Sequence, residues 1–258
     1  MASCSEPGQR DANEDALRTG QAGPFSYAVL CDGAGGHARG AEAAQQVVEH
    51  VAAGLGPGSG SASTPPAFGA AHLSELLRAA HAGLQQQQLG AQGQRRMHAT
   101  VVVLWLDSAR GGALWSHVGD SRLYRLRYGA VDVVTADDSV VQRLLERGVL
   151  TPEQAQTHPM KNQLLAAMGM QDGVAPHTLG APQALEDGDA FLLCSDGWWG
   201  ALRDAELVAT LADADTPQAW LDAMKTLIDA RATPHQDNFS AIAVWVSDPL
   251  ESTRSMDA

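Results

Sequence analysis

Short, nearly unbroken apolar runs alternate along this chain with stretches of helical period. Phe25–Cys31 (FSYAVLC) is apolar almost throughout and is stopped at once by Asp32-Gly33, the pattern of a buried strand. Residues 40–55 follow with helical spacing through Ala43, Ala44, Val47, Val48 and Val51. The Gly/Ser/Pro-rich stretch 54–69 predicts a mobile loop inserted between two helices, since strands that need partners lie on both sides of it. A second helix is expected over 71–89, with its Gln85-Gln86-Gln87-Gln88 row as a solvated face. Residues 100–106, 113–118, 121–127 and 131–134 then read as strands, and the short turns between them favour antiparallel hairpins over crossovers. The pattern becomes helical over 139–167, where Thr151-Pro152-Glu153 is a strong helix start: a capping residue, then Pro at the first helical position. A strand over 189–194, helices over 204–211 and 217–230, and a last strand over 239–246 complete the reading. The tail 249–258 is expected to be disordered. Antiparallel runs with helices inserted in pairs suggest stacked sheets covered by helices, although periodicity alone leaves the topology open.

Composition narrows the picture. Of 258 residues, 45% are hydrophobic and 18% charged, which suits one globular domain with a sizeable core. A formal net charge of −13 argues against nucleic acid or an anionic membrane as partner, both of which need clustered cations. Cys4, Cys31 and Cys194 have no paired spacing, so neither a zinc ribbon nor a disulfide framework is expected, and Cys31 and Cys194 read as reduced strand cysteines. With no secretory signal pattern and no apolar stretch near the ~20 residues of a membrane span, a soluble cytoplasmic protein is expected.

One local pattern carries candidate chemistry. Two apolar strands end in Asp-Gly, at Asp32-Gly33 and Asp196-Gly197. Asp120 sits between two predicted strands, Asp237 just before the last one, and Asn13-Glu14-Asp15 ahead of Phe25–Cys31. Carboxylates at strand ends can converge with little entropic cost, and a following Gly lets the backbone approach closely. Oxygen donors without a His/Cys set suit hard ions such as Mg²⁺ or Mn²⁺. Two such ions about 3.5–4 Å apart acidify a water and orient it for in-line attack on phosphorus. Asp-Gly is also a common turn dipeptide, so spacing by itself leaves a turn and a ligand both open.

Taken in order, the motifs resemble those of the metal-dependent protein phosphatases (PPM class, type 2C) in their bacterial form. They are Gly8-Gln9-Arg10 with Asn13-Glu14-Asp15-Ala16, Cys31-Asp32-Gly33-Ala34-Gly35-Gly36-His37, His98-Ala99-Thr100, Gly119-Asp120-Ser121-Arg122, Leu193-Cys194-Ser195-Asp196-Gly197 and Asp237-Asn238-Phe239-Ser240. Asp138-Ser139, Gly148 to Thr151, His158-Pro159 and Asn162 are similar to the family's flap. The resemblance implies an α+β fold: a central antiparallel β-sandwich with helices on both outer faces, in a single catalytic domain over 1–248 with a helical flap at about 136–175.

The resemblance also implies roles. Asp32 would bridge two ions, Mn²⁺ or Mg²⁺, with the Gly33 carbonyl on the second. Asp196 and Asp237 would hold the first, and Asp15 would reach the second through water, with Glu14 nearby. Asp120 would share a third, weaker ion with Asp196. Arg10 would bind the substrate phosphate, and His37 would give a proton to the leaving oxygen. Ala34 stands where animal members carry His, Asp138 where bacterial relatives often carry His, and Ala99 where Gly is usual. The implied activity is hydrolysis of phosphoserine and phosphothreonine in proteins, opposing a bacterial Ser/Thr kinase, by a monomer without membrane anchor. A catalytically silent binding module and a phosphatase of small phosphoesters are the alternatives. The Ser5-to-Gly8 entry is similar to that of members linked with type VI secretion.

Overall fold

A computed structural model describes residues 1–34, 39–56, 67–88 and 96–247. The chain begins with β1 (Ala2–Glu6), β2 (Ala16–Ala22), β3 (Phe25–Cys31) and the short β4 (Gly33–Ala34). Helices α1 (Arg39–Leu55) and α2 (Ala70–Gln87) follow, then β5 (His98–Ala99), β6 (Val101–Asp107), β7 (Gly112–Val118), β8 (Arg122–Arg127) and β9 (Ala130–Val134). After α3 (Val140–Glu146) and α4 (Pro152–Gln156) come β10 (His177–Thr178), β11 (Gln183–Ala184) and β12 (Ala190–Cys194). The last elements are α5 (Asp196–Trp199), α6 (Asp204–Ala212), α7 (Pro217–Ala230) and β13 (Phe239–Trp245).

Two antiparallel sheets are stacked. One has the order β1-β13-β12-β8-β9 and the other β10-β7-β6-β3-β2, with β11 also on β7. Helices α1 and α2 cover the outer face of the second sheet, and α7 lies on β13 and β1 of the first. This layering explains why the strands read as continuous apolar runs. Successive side chains point to opposite faces, so Ala28 and Leu30 enter the core between the sheets while Tyr27, Val29 and Cys31 enter the core under α1. Leu192 and Cys194 likewise face the helices on the first sheet while Phe191 and Leu193 face inward. The α1 residues Ala43, Ala44, Val47, Val48, Val51 and Leu55 are buried at helical spacing, as expected from their period. The expected α+β sandwich with helices on both faces is the observed architecture.

Some expectations are corrected. Asn13-Glu14-Asp15 does not precede the first strand but lies between β1 and β2. Both strands are sheet edges with a half-buried pattern, so they lack the apolar signal of central strands. Residues 139–167 are mostly turns rather than helix. Gly148 at φ +65° ends α3 and Thr151 caps α4 with a full capping box. The glutamine row is not a uniformly solvated face. Gln85 Nε2 donates to the Met170 carbonyl at 2.7 Å, and Gln88, which is buried, receives the Met97 N–H at 2.9 Å and binds the Gly169 carbonyl. Most of the predicted loop 54–69, together with the tail 249–258, lies outside the described residues.

Candidate metal and phosphate site

Each candidate carboxylate is delivered by the end of a rigid element. Asp32 follows β3 directly, Asp196 opens α5 two residues after the end of β12, Asp120 lies in the β7–β8 turn, and Asp237 precedes β13. Together with Arg10, Gly33 and Glu14 they line one cleft of about 620 Å³, whose other walls include Thr100, Asn162, Leu164 and Asn238.

The glycines of the two Asp-Gly pairs are fixed by close approach, not by turn conformation, since neither has a positive φ. A Cβ on Gly33 would stand 2.4 Å from the Gly40 backbone, and one on Gly197 2.0 Å from the Asn238 carbonyl oxygen. Only a hydrogen fits in either place, which brings the strand ends together around the cleft.

Hydrogen bonds fix the backbone of each arm. The Asp32 N–H donates to Thr100 Oγ1 at 3.0 Å, and Thr100 Oγ1 is 2.6 Å from Ser121 Oγ. The Asp120 carbonyl accepts from Trp199 Nε1 at 2.9 Å, and the Trp199 ring lies under Arg122, 3.6 Å from its centroid. Arg122 in turn makes a forked pair with Asp137 at 2.8 Å on both oxygens. Asp138 ties the start of the flap to the same turn: its Oδ2 accepts from Gly119 N–H at 3.0 Å and its Oδ1 pairs with His177 Nε2 at 2.8 Å. An aspartate here therefore anchors the flap and stays out of the cleft lining.

The N-terminal arm is held by one side chain that the sequence reading quoted but gave no role. Asn238 Oδ1 accepts from Glu14 N–H, and its Nδ2 donates to the carbonyls of Pro7 and Ala12, all at 2.9 Å. This loop presents Arg10, whose Nη2 lies 2.8 Å from Asp237 Oδ2. Asp15 Oδ2 accepts from Ser195 Oγ at 2.9 Å, while its Oδ1 is buried without a partner. Lys161, unremarked in the sequence, adds positive charge felt by Asp196. His37 lies outside the described residues.

Electrostatics mark the cleft as short of positive charge. Burial, followed by the charges of Asp196, Asp15, Asp120 and Asp237, pushes the Asp32 carboxyl well above the usual range. Burial likewise raises Asp120 to about 8, with Asp196 and Asp137 adding to it, and Asp15 to about 7. Asp196 rises to about 6, from burial and then the charge of Asp237. Crowded carboxylates hold protons unless a cation enters. Among the described residues no group of three or more His, Cys, Asp or Glu side chains closes around a single point as a ready cage. An all-oxygen donor set and the mutual repulsion of these carboxylates fit hard divalent ions; Asp15, whose Oδ1 is buried without a partner, is not among the cleft-lining residues.

The chain is similar in sequence and in fold to known proteins. The family model described as protein phosphatase 2C matches residues 8–237. The protein phosphatase PhpP of Streptococcus pneumoniae is 30% identical over 204 residues, covering 78% of this chain and 77% of its own length. The serine/threonine protein phosphatase PstP of Mycobacterium tuberculosis is 32% identical over 202 residues, 78% of this chain. The match spans only 36% of that longer relative. A crystal structure of the catalytic domain of PstP in complex with two manganese ions is 27% identical with a TM-score of 0.78, covering 96% of this chain and 97% of that one. PppA of Pseudomonas aeruginosa, described as a key regulatory component of the T6SS, is 30% identical with a TM-score of 0.73, covering 95% and 96% of the two chains. Sandwich, convergent aspartates and matched length agree: the chain belongs to the protein phosphatase 2C family.

Proposed function

We propose that this chain hydrolyses phosphoserine and phosphothreonine in proteins with the help of divalent ions. The observation that carries the reading is the convergence of Asp32, Asp120, Asp196 and Asp237 with Arg10 on one cleft. Asp32, the Gly33 carbonyl, Asp196 and Asp237 would hold two Mn²⁺ or Mg²⁺ ions, Asp15 would support the second through water, and Asp120 would share a third with Asp196. When bound, the ions supply an acidified water and positive charge against the transferring phosphoryl group.

The chain's own residues do the rest. Arg10 carries a planar, permanent charge that can meet two oxygens at once, and its place beside Asp237 keeps it at the mouth of the cleft for the substrate phosphate. His37 is assigned the proton delivered to the leaving serine or threonine oxygen. Direct hydrolysis is preferred to a phosphocysteine route because Cys31 and Cys194 are fully buried and burial pushes both thiols up, away from the nucleophilic thiolate.

The proposal extends to a catalytic domain over 1–248, with its flap at about 136–175, acting as a cytoplasmic monomer in signal transduction. Among the described residues no helix is long and apolar enough to cross a membrane. Substrates would be the targets of a cognate Ser/Thr kinase, and the likeness to PppA supports a connection with type VI secretion. A phosphoproteome with and without the protein tests both points. For the chemistry, Asp32→Ala and Asp237→Ala should abolish Mn²⁺-dependent release of phosphate from p-nitrophenyl phosphate and from a phosphothreonine peptide. Near-wild-type rates in either variant would sink the metal assignment. Faster turnover of nucleotide or sugar phosphates than of phosphopeptides would move the substrate class to small phosphoesters.

A further inference from the structure

Asp15 is the candidate carboxylate whose surroundings are most completely specified by other side chains. Its backbone N–H donates to Asn13 Oδ1 at 3.0 Å, and Asn13 Nδ2 donates to Ser5 Oγ at 2.8 Å. Ser5 Oγ is 2.8 Å from Ser240 Oγ. The Ser240 N–H donates to Ser195 Oγ at 3.0 Å, and Ser195 Oγ donates to Asp15 Oδ2 at 2.9 Å. The circuit closes on the residue where it began, crossing β1, β13 and the end of β12.

Its polarity is not free. A backbone N–H can only donate, so the Ser195 oxygen accepts from Ser240 and its single hydrogen is left for Asp15. Ser195 and Ser240 are both fully buried, so water does not compete for these bonds. Ser195 also stands at the N-cap of α5, yet its side chain makes no cap bond there. The hydroxyl is turned away from its own helix and spent on Asp15. One oxygen of Asp15 is thereby pinned, and the other, Oδ1, is the buried one with no protein partner.

We propose that Ser195 is a positioning residue for the divalent-ion centre: by donating to Asp15 Oδ2 it fixes the orientation of that carboxylate and leaves Oδ1 as its open acceptor. Ser195 touches neither substrate nor reacting atoms. It acts through Asp15, so it should govern how tightly ions are held, not how fast a fully loaded centre turns over. Outer-shell hydrogen bonds of this kind are worth about 10–100-fold in metal affinity.

The inference rests on the reading of the cleft as a divalent-ion site, and the test separates the two. Mn²⁺ binding to the full chain is followed by the loss of the free-ion electron paramagnetic resonance signal. Measurements are made on wild type, Ser195→Ala, Ser195→Thr, Asp15→Asn and the Ser195→Ala/Asp15→Asn double variant. Ser195→Ala is expected to weaken the tightest Mn²⁺ binding by about 10-fold or more, while kcat at saturating Mn²⁺ stays close to wild type. Ser195→Thr, which keeps the hydroxyl, restores binding. In the Asp15→Asn background the Ser195→Ala change should cost nothing further, the signature of one residue acting through the other. Unchanged Mn²⁺ affinity in Ser195→Ala overturns the inference while leaving the metal site intact, and so does an equal loss with and without Asp15. If Ser195→Ala does not fold, the Thr variant and Asp15→Asn decide: Thr binding as weakly as Asn overturns the hydroxyl's role. Wild-type protein that binds no Mn²⁺ overturns the reading of the cleft and this inference with it.

Discussion

Replacing Asn238 by Ala should loosen the loop that carries Arg10. The wild-type side chain bonds three backbone groups of that loop, Glu14 N–H and the carbonyls of Pro7 and Ala12, each at 2.9 Å. Asn238 is buried, at 7% exposure, so water does not replace these bonds freely. At about 1 kcal/mol net for each bond, with the higher cost of any group left unpaired, the loss comes to about 2–4 kcal/mol. For a domain of this size that lowers Tm by about 5–15 °C. Asn238→Asp keeps the acceptor for Glu14 but sets a carboxylate against two carbonyls, so it should fall at least as far. Urea unfolding gives the stability change. The same variants assayed with p-nitrophenyl phosphate should show a raised KM, because Arg10 is no longer held beside Asp237. A change below about 1 kcal/mol in Asn238→Ala, with KM unaltered, would refute the view that this side chain clamps the loop.

Arg10→Lys retains the charge but loses the planar fork, and it should raise KM for a phosphopeptide by about 10-fold with a smaller effect on kcat; an unchanged KM would remove Arg10 from phosphate binding. Stripped of metal by EDTA, the protein should become less stable as pH rises. Asp15, Asp120 and Asp196 have folded-state values near 7, 8 and 6, above their ordinary value of 3.8, so the folded state binds more protons than the unfolded one. That contribution is complete below about pH 4 and is lost as pH climbs through 6 to 8. Tm in EDTA should therefore be higher at about pH 6 than at about pH 8.5, and excess Mn²⁺ should flatten the trend by replacing protons with cations. A pH-independent Tm in EDTA would contradict the crowding of these carboxylates.

The central elements were legible because they are buried on both faces. Phe25–Cys31 and Ala190–Cys194 face helices on one side and the other sheet on the other, so nearly every position is apolar and the strand ends are plain. The edge strands β1 and β2 bury only alternate or terminal positions, and their apolar signal was too thin to find. The flap offered helical spacing over 139–167 but has little core of its own, so Gly148 and two prolines cut it into turns. In the cleft, acids at strand ends pointed to hard cations, while the expectation that they act as ligands came from the ordered motifs and not from Asp-Gly. The supporting side chains were quoted in the motifs or the glutamine row, but their roles were not legible, for a different reason. Asn238, Thr100, Ser195 and Gln88 act through partners as many as 231 positions away, and no local pattern encodes such a bond.

The pairing of β13 with both β1 and β12 sets when this protein can become competent during synthesis. Arg10 and Asp237 meet although 227 positions separate them, and β13 is the strand between β1 and the rest of its sheet. Until that segment has left the ribosome, the N-terminal arm has no strand to lie on and the cleft lacks one wall. Contacts of such long range are formed late and slowly. A nascent chain would thus carry a nearly finished sandwich with an unfinished cleft, and premature termination within β13 would yield a protein that folds in part without completing the cleft.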